Sequence, residues 1–128
     1  MIITEINQGP KATYSLQGKV LTIGGQVSID LQERQSDVQK VIDICLDNQL
    51  QTMREGIGAW YVATIIIPPK QRELVPSGEV DEAGNDIYIE RDRELDINKV
   101  ELRLWTLPAG YEETAETVKE QNPEEVTE

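Results

Sequence analysis

The chain has no histidine, no phenylalanine and a single cysteine, and each shortage removes a class of chemistry. Histidine is the side chain whose unperturbed pKa suits proton transfer near neutrality, so its absence excludes Ser-His-Asp and Cys-His catalysis and every histidine-containing zinc site. One cysteine, Cys45, can form neither an internal disulfide nor a thiolate cluster, and the fold does not depend on an oxidising compartment. No GxxxxGK[ST] phosphate loop is present. Gly56-x-Gly58 lacks the third glycine of a dinucleotide fingerprint and reads as a hinge or bulge before a strand. The longest apolar run, Ala59 to Ile67, is about half of what a membrane-spanning helix needs. Met1-Ile2-Ile3-Thr4-Glu5 carries no basic region ahead of a long apolar stretch, so no secretory signal pattern is visible and a cytoplasmic location is expected.

Charge of one sign is plentiful. The 128 residues carry 24 acids against 12 bases, a net −12. Residues 108–128 hold seven acids and Lys119 as their one base, whereas residues 1–107 hold seventeen acids and eleven bases. Each part therefore carries −6, and half of the excess sits in the last sixth of the chain. Both parts would repel nucleic-acid phosphates and anionic membranes, so neither direct nucleic-acid binding nor membrane binding is expected. The division predicted is a mainly β domain over 1–107, with a charged hairpin arm at about 70–95, followed by an acidic disordered tail over 108–128.

The β reading rests on pattern. Lys19-Val20-Leu21-Thr22-Ile23 and Val27-Ser28-Ile29-Asp30-Leu31 flank Gly24-Gly25-Gln26. A three-residue loop pairs Ile23 with Val27, Leu21 with Ile29 and Lys19 with Leu31, gathering the apolar set on one face, whereas a two-residue loop scatters it. Tyr14 and Leu16 begin a preceding strand. Ser36 to Met53 reads two ways. As a helix it puts Val38, Val41, Ile42, Cys45, Leu46, Leu50 and Met53 broadly on one stripe, behind a Ser36-x-x-Gln39 capping box. As a strand over 38–47 it uses the β-branched cluster Val38, Val41, Ile42 and Ile44, and this reading is preferred, with a short helix around 48–55 still open. Ala59 to Ile67 is apolar on both faces and predicts a central strand covered on both sides, ended by Pro68-Pro69. Val100 to Trp105 alternates cleanly: Val100, Leu102 and Leu104 inward, Glu101, Arg103 and Trp105 outward. The fold expected is a single antiparallel β domain, sandwich or barrel-like, with a projecting hairpin; the alternative is α+β with one helix at about 36–54.

Three candidate chemistries are weaker than their structural readings. Asp43/Asp47 and Asp30/Glu33 are carboxylate pairs of the kind that hydrolyses glycosides, but such pairs arise by chance among 24 acids. Asp81-Glu82-Ala83-Gly84-Asn85-Asp86 is oxygen-rich but departs from the calcium-loop pattern at Ala83 and Gly84, and reads as a plain turn. Cys45 has only Lys40 as a basic neighbour in sequence, too distant to activate a thiol, and reads as a small semi-buried side chain. No enzyme activity, metal or cofactor is therefore expected.

Binding features remain. Trp105 points outward from its strand, with Arg103 two residues away on the same face and placed to stack on it. It is either covered by a second layer, such as the hairpin with Tyr88, or exposed as an aromatic anchor at a protein interface. The 70–95 segment is long for a loop in a compact domain, and its Gly84-Asn85 turn between two β runs marks an extended arm. Arg103, Trp105, Gly84, Asn85 and Tyr88 are thus the candidate partner-binding residues. Tyr61-Val62-Ala63-Thr64-Ile65-Ile66-Ile67-Pro68-Pro69, the charged insert, and Asp96-Ile97-Asn98-Lys99-Val100-Glu101-Leu102-Arg103-Leu104-Trp105 resemble small prophage-encoded proteins of tail or virion gene clusters. That resemblance implies a mainly β, non-enzymatic component assembled in the cytoplasm into a virion. The leading expectation is a structural or assembly protein that contacts protein partners, including itself as a homo-oligomer. The alternative is an acidic decoy that occupies a basic site on a nucleic-acid-processing protein.

Overall fold

β-branched residues dominate the middle of the chain, and they build a stack of short strands. The computed structural model describes residues 1–111; the tail predicted for 108–128 lies almost wholly outside them. In chain order the elements are β1 (Ile2–Glu5), β2 (Tyr14–Gln17), β3 (Val20–Ile23), β4 (Val27–Asp30), α1 (Leu31–Arg34), β5 (Lys40–Leu46), β6 (Met53–Glu55), β7 (Trp60–Ile67), β8 (Arg72–Val80), β9 (Asp86–Asp92), a 3₁₀ turn (Ile97–Lys99) and β10 (Glu101–Leu104). They form a five-stranded sheet of order β1-β10-β7-β5-β6, a three-stranded sheet of order β2-β3-β4, and a separate β8-β9 ribbon.

The fold is mainly β, as the pattern predicts, and no sheet among the described residues closes into a barrel. The β3–β4 register is the three-residue-loop one: Ile23 faces Val27 and Leu21 faces Ile29, with Leu31 N donating to Lys19 O at 2.8 Å. Gly24 and Gly25 take φ of 60° and 68°, the left-handed values that this loop requires. β5 settles the ambiguous segment as a strand, so the helix at about 36–54 is not formed. Nor is a short helix at 48–55. Asp47 Oδ1 accepts from Gln51 N and Thr52 N, and that turn folds β6 back onto β5. The pairing is antiparallel throughout the described residues except for one pair: β1 runs parallel to β10. The first strand thereby sits against the last one among the described residues, which local pattern cannot announce.

β7 is the middle strand of the larger sheet. Ile65 is flanked by Ile42 of β5 and Leu102 of β10. The inward side chains of both sheets merge into one buried cluster, with Leu21, Ile23 and Ile29 from one and Ile44, Ile65, Leu102 and Leu104 from the other. Asp30 caps α1, which leads away from β4, by accepting from Glu33 N. Arg34 then pairs with Glu55 on β6, tying the two sheets at their rim.

Pairing between β5 and β7 slips by one residue. Ile44 faces Ala63, but Cys45 faces Tyr61, so Val62 is a bulge. Ahead of the bulge, Gly58 lies so close under β5 that an added Cβ would stand 2.4 Å from Leu46 O and 2.9 Å from Cys45 Cβ. The glycine is there for close approach. Cys45 is fully buried beneath it, and burial pushes its thiol pKa up, away from reactivity. Gly58→Ala should therefore destabilise the fold by roughly 1–3 kcal/mol, the cost of overpacking. Urea denaturation would show a lowered midpoint; an unchanged midpoint would contradict this packing.

Candidate partner-binding surfaces

The five candidate residues divide between two places. Arg103 and Trp105 lie on the outer face of the larger sheet, while Gly84, Asn85 and Tyr88 lie on the β8–β9 ribbon. They do not form one site.

On the outer face, the Val62 bulge reverses the alternation of β7. Trp60 turns inward, packs against the core and donates through Nε1 to Thr106 O at 2.7 Å. Tyr61 turns outward, and its ring lies 5.5 Å from that of Trp105, tilted by 52°. Sequence reasoning placed Trp105 correctly but missed Tyr61, because a bulge leaves no mark in a continuous apolar run. Trp105 is half-buried: its cover is Tyr61 rather than the Tyr88 hairpin, and its Nε1 donates to Thr64 Oγ1 at 3.3 Å. Thr64 Oγ1 in turn donates to Asp43 Oδ1 at 2.9 Å. The strand is not sealed on this side, since Tyr61 is exposed and Ile66 only half-buried. Arg103 is not stacked on Trp105 but turns along its own strand, and its Nε donates to Glu101 Oε2 at 3.0 Å.

The ribbon is more unusual. β8 and β9 pair from Arg72/Asp92 to Val80/Asp86, with a register shift between Pro76 and Val80. At the tip, Asp81 Oδ1 accepts from Ala83 N and Asn85 N, both at 2.9 Å, and Gly84 takes a φ of 86°. The oxygen-rich loop is a self-satisfied turn, and no three-carboxylate metal cluster occurs among the described residues. All of β9 is exposed. Alternation places Val75, Ile87 and Ile89 on one face of the ribbon and Leu74, Pro76 and Tyr88 on the other. Leu74 is 66% exposed, Tyr88 54% and Ile89 50%. Near its root the arm's charges pair across the strands: Arg91 with Glu73 at 3.0 Å, and Arg72 with Asp92 at 3.4 Å. Toward the tip Glu79, Asp81, Glu82 and Asp86 stand in a stretch with no base between residues 73 and 90. Beside these charges the arm offers apolar surface to solution.

The root of the arm is held firmly. Gln35 Nε2 donates to Pro68 O at 3.0 Å, Lys70 N to Ser36 O at 2.8 Å, and Leu95 N to Gln32 Oε1 at 3.0 Å. Gln32 of α1 and the residues just after that helix thus clamp both ends of the ribbon, a role with no sequence signal because each contact spans more than thirty residues.

The carboxylate pairs suspected of chemistry are engaged in structure: Asp30 as the α1 cap, Asp43 with Thr64, and Asp47 in its turn. No helix among the described residues is long and apolar enough to cross a membrane. The chain matches no family model, no characterised protein and no solved structure.

The Glu101 pair makes a pH prediction. Hydrogen bonds from Arg103 and then Thr4 hold its pKa below the ordinary carboxylate value. A depressed folded pKa contributes stability above the unfolded value, and that contribution is lost as pH falls through the folded one. Carboxyl ¹³C titration should give Glu101 a low midpoint that rises toward ordinary in Arg103→Met. An unmoved midpoint would show that Arg103 is not its partner.

Proposed function

We propose that this chain is a non-enzymatic assembly protein whose β8–β9 arm docks on another protein, a second copy of the chain being the first partner to test. The observation that carries the reading is the arm itself: a two-stranded ribbon with large apolar side chains exposed on both faces. Two strands alone are marginally stable in water, and a third strand or a packed surface is what such a ribbon lacks. Contiguous exposed apolar surface of this kind marks a contact site. The firm root supports the same reading, because a clamped base presents the arm in one direction. A virion or tail component of prophage origin is the biological setting that the sequence resemblance suggests.

The acidic-decoy alternative asks for unpaired carboxylates on one rigid face. In the arm, Glu73, Glu90 and Asp92 stand opposite Arg72, Arg91, Arg93 and Lys70. Toward the tip Glu79, Asp81, Glu82 and Asp86 have no base among them, but Asp81 is engaged in its own turn, and the large exposed apolar side chains along the shaft favour docking over charge mimicry.

The test is sedimentation of the full chain over a range of concentrations at low and high salt, beside the variant Leu74→Ser/Tyr88→Ser/Ile89→Ser. The wild type should form a multimer that survives salt, because apolar contacts are not screened. The variant should weaken association roughly a hundredfold or more, given the burial value of three apolar side chains. A wild type that stays monomeric at every concentration, or a variant that assembles equally well, would contradict self-docking through the arm.

A further inference from the structure

A strand can be added only where a sheet ends, and the ends of these sheets are not alike. β6 closes one side of the larger sheet and is blunted: it is short, and Arg54 and Glu55 are exposed on it. β1 closes the other side with one charge, Glu5, and no proline, glycine or lysine. Ile2 is 52% exposed there and Ile3 39%. Ile2 N donates to Val100 O at 2.8 Å and Ile6 N to Leu104 O at 2.9 Å, so the backbone groups of Ile2, Thr4 and Ile6 face β10. Those of Ile3 and Glu5 therefore face away from it, where no strand stands among the described residues. In the smaller sheet β4 runs directly into α1, and β2 shows only Tyr14 as a large exposed apolar side chain.

The arm has a comparable open edge on one side only. Arg93 N donates to Gln71 O at 2.8 Å, and bonded pairs alternate along an antiparallel ladder, so Arg91 and Ile89 also bond to β8. Leu74 and Pro76 on β8, and Tyr88, Glu90 and Asp92 on β9, turn their backbone groups outward. Pro76 has no N–H, and the register shifts beyond it, so the outer edge of β8 is interrupted. β9 runs from Asp86 to Asp92 without proline or glycine, and all of it is exposed. Its outer edge is continuous.

Resting on the arm-docking reading, we propose that β9 of one copy adds to β1 of the next as a further strand of the larger sheet. One alignment satisfies backbone and side chains together. With β9 parallel to β1, Ile3 stands opposite Ile89 and Glu5 opposite Arg91. Both β9 residues turn their backbone away from β1, as parallel pairing demands, so Ile3 N meets Tyr88 O and Glu90 N meets Ile3 O. Ile2 falls opposite Tyr88. The exposed apolar side chains thus meet one another, and a carboxylate meets a guanidinium. Every antiparallel alignment sets either Ile3 opposite an acid or Glu5 opposite Asp86. Arm and edge are different surfaces, so each added copy leaves one of each unfilled. Assembly then continues until a ring closes or a fibre grows.

The test is sedimentation of the full chain beside two variants that each remove one half of the joint. Ile3→Pro leaves the Ile2 and Ile6 bonds to β10 in place and sets a ring on the open edge of β1. Glu90→Pro does the same to β9 and leaves its bonds to β8. Each alone should weaken self-association roughly tenfold or more, through one lost interchain hydrogen bond and the bulk of the ring. Mixed, they should form a one-to-one dimer and stop there, because the intact arm of the first fits the intact edge of the second. That dimer also shows that both variants are folded. If Ile3→Pro fails to fold, Glu5→Lys, which sets a base opposite Arg91, should weaken association several-fold; unchanged association would overturn the alignment. Folded Ile3→Pro that assembles as the wild type does, while the triple arm variant does not, would overturn this joint and leave arm docking standing. A triple arm variant that assembles as the wild type does, or a wild type monomeric at every concentration, would overturn both. No dimer from the mixture of folded variants would overturn the joint.

Discussion

Ile65 stands fully buried between Ile42 and Leu102, and the three-strand ladder it centres is what the rest of the molecule hangs on. β5 and β10 come from opposite halves of the chain and meet only through β7. β10 in turn pairs with β1, so the ladder also ties down the N-terminal strand. The three-stranded sheet covers the inner face and contributes Leu21, Ile23 and Ile29 to a single core. The Val62 bulge within the ladder decides which aromatic faces inward and which outward. A one-residue slip thus builds both the Trp60 anchor in the core and the Tyr61–Trp105 pair on the surface.

The arm has no share in that core. It leaves at Pro68-Pro69, where two residues poor at ladder pairing end β7, and it returns at Leu95, which is buried. Between those points its cohesion comes from cross-strand hydrogen bonds and exposed ion pairs, and exposed pairs contribute little each. Its apolar side chains gain nothing from facing water. Mounting by Gln32, Gln35 and Ser36, together with an apolar and uncovered shaft, is the arrangement on which the proposed partner contact rests.

Much of this was legible from local pattern. Gly24-Gly25 and the apolar alternation around them specified the β3–β4 register, because only one loop length gathers Leu21, Ile23, Val27 and Ile29 together. The β-branched content of 38–47 decided for a strand, and the inward set Val100, Leu102 and Leu104 is buried as the alternation required. The arm was legible as a long polar excursion with a Gly-Asn turn. What was not legible depends on distant partners. The parallel β1–β10 pair, the clamp of Gln35 on Pro68, and the preference of Arg103 for Glu101 over Trp105 leave no trace within a window of a few residues. Tyr61 was missed because period-two reasoning assumes an unbroken strand.

The central claim is that the arm is an unfinished piece of sheet, completed by a partner. Hydrogen exchange followed by mass spectrometry over residues 72–92 tests it most directly, with β7 as the internal reference. The account predicts arm amides that exchange far faster than those of β7 in dilute solution and slow as protein concentration rises. Arm amides as protected as those of β7 at high dilution, with no dependence on concentration, would show a self-sufficient ribbon and contradict it.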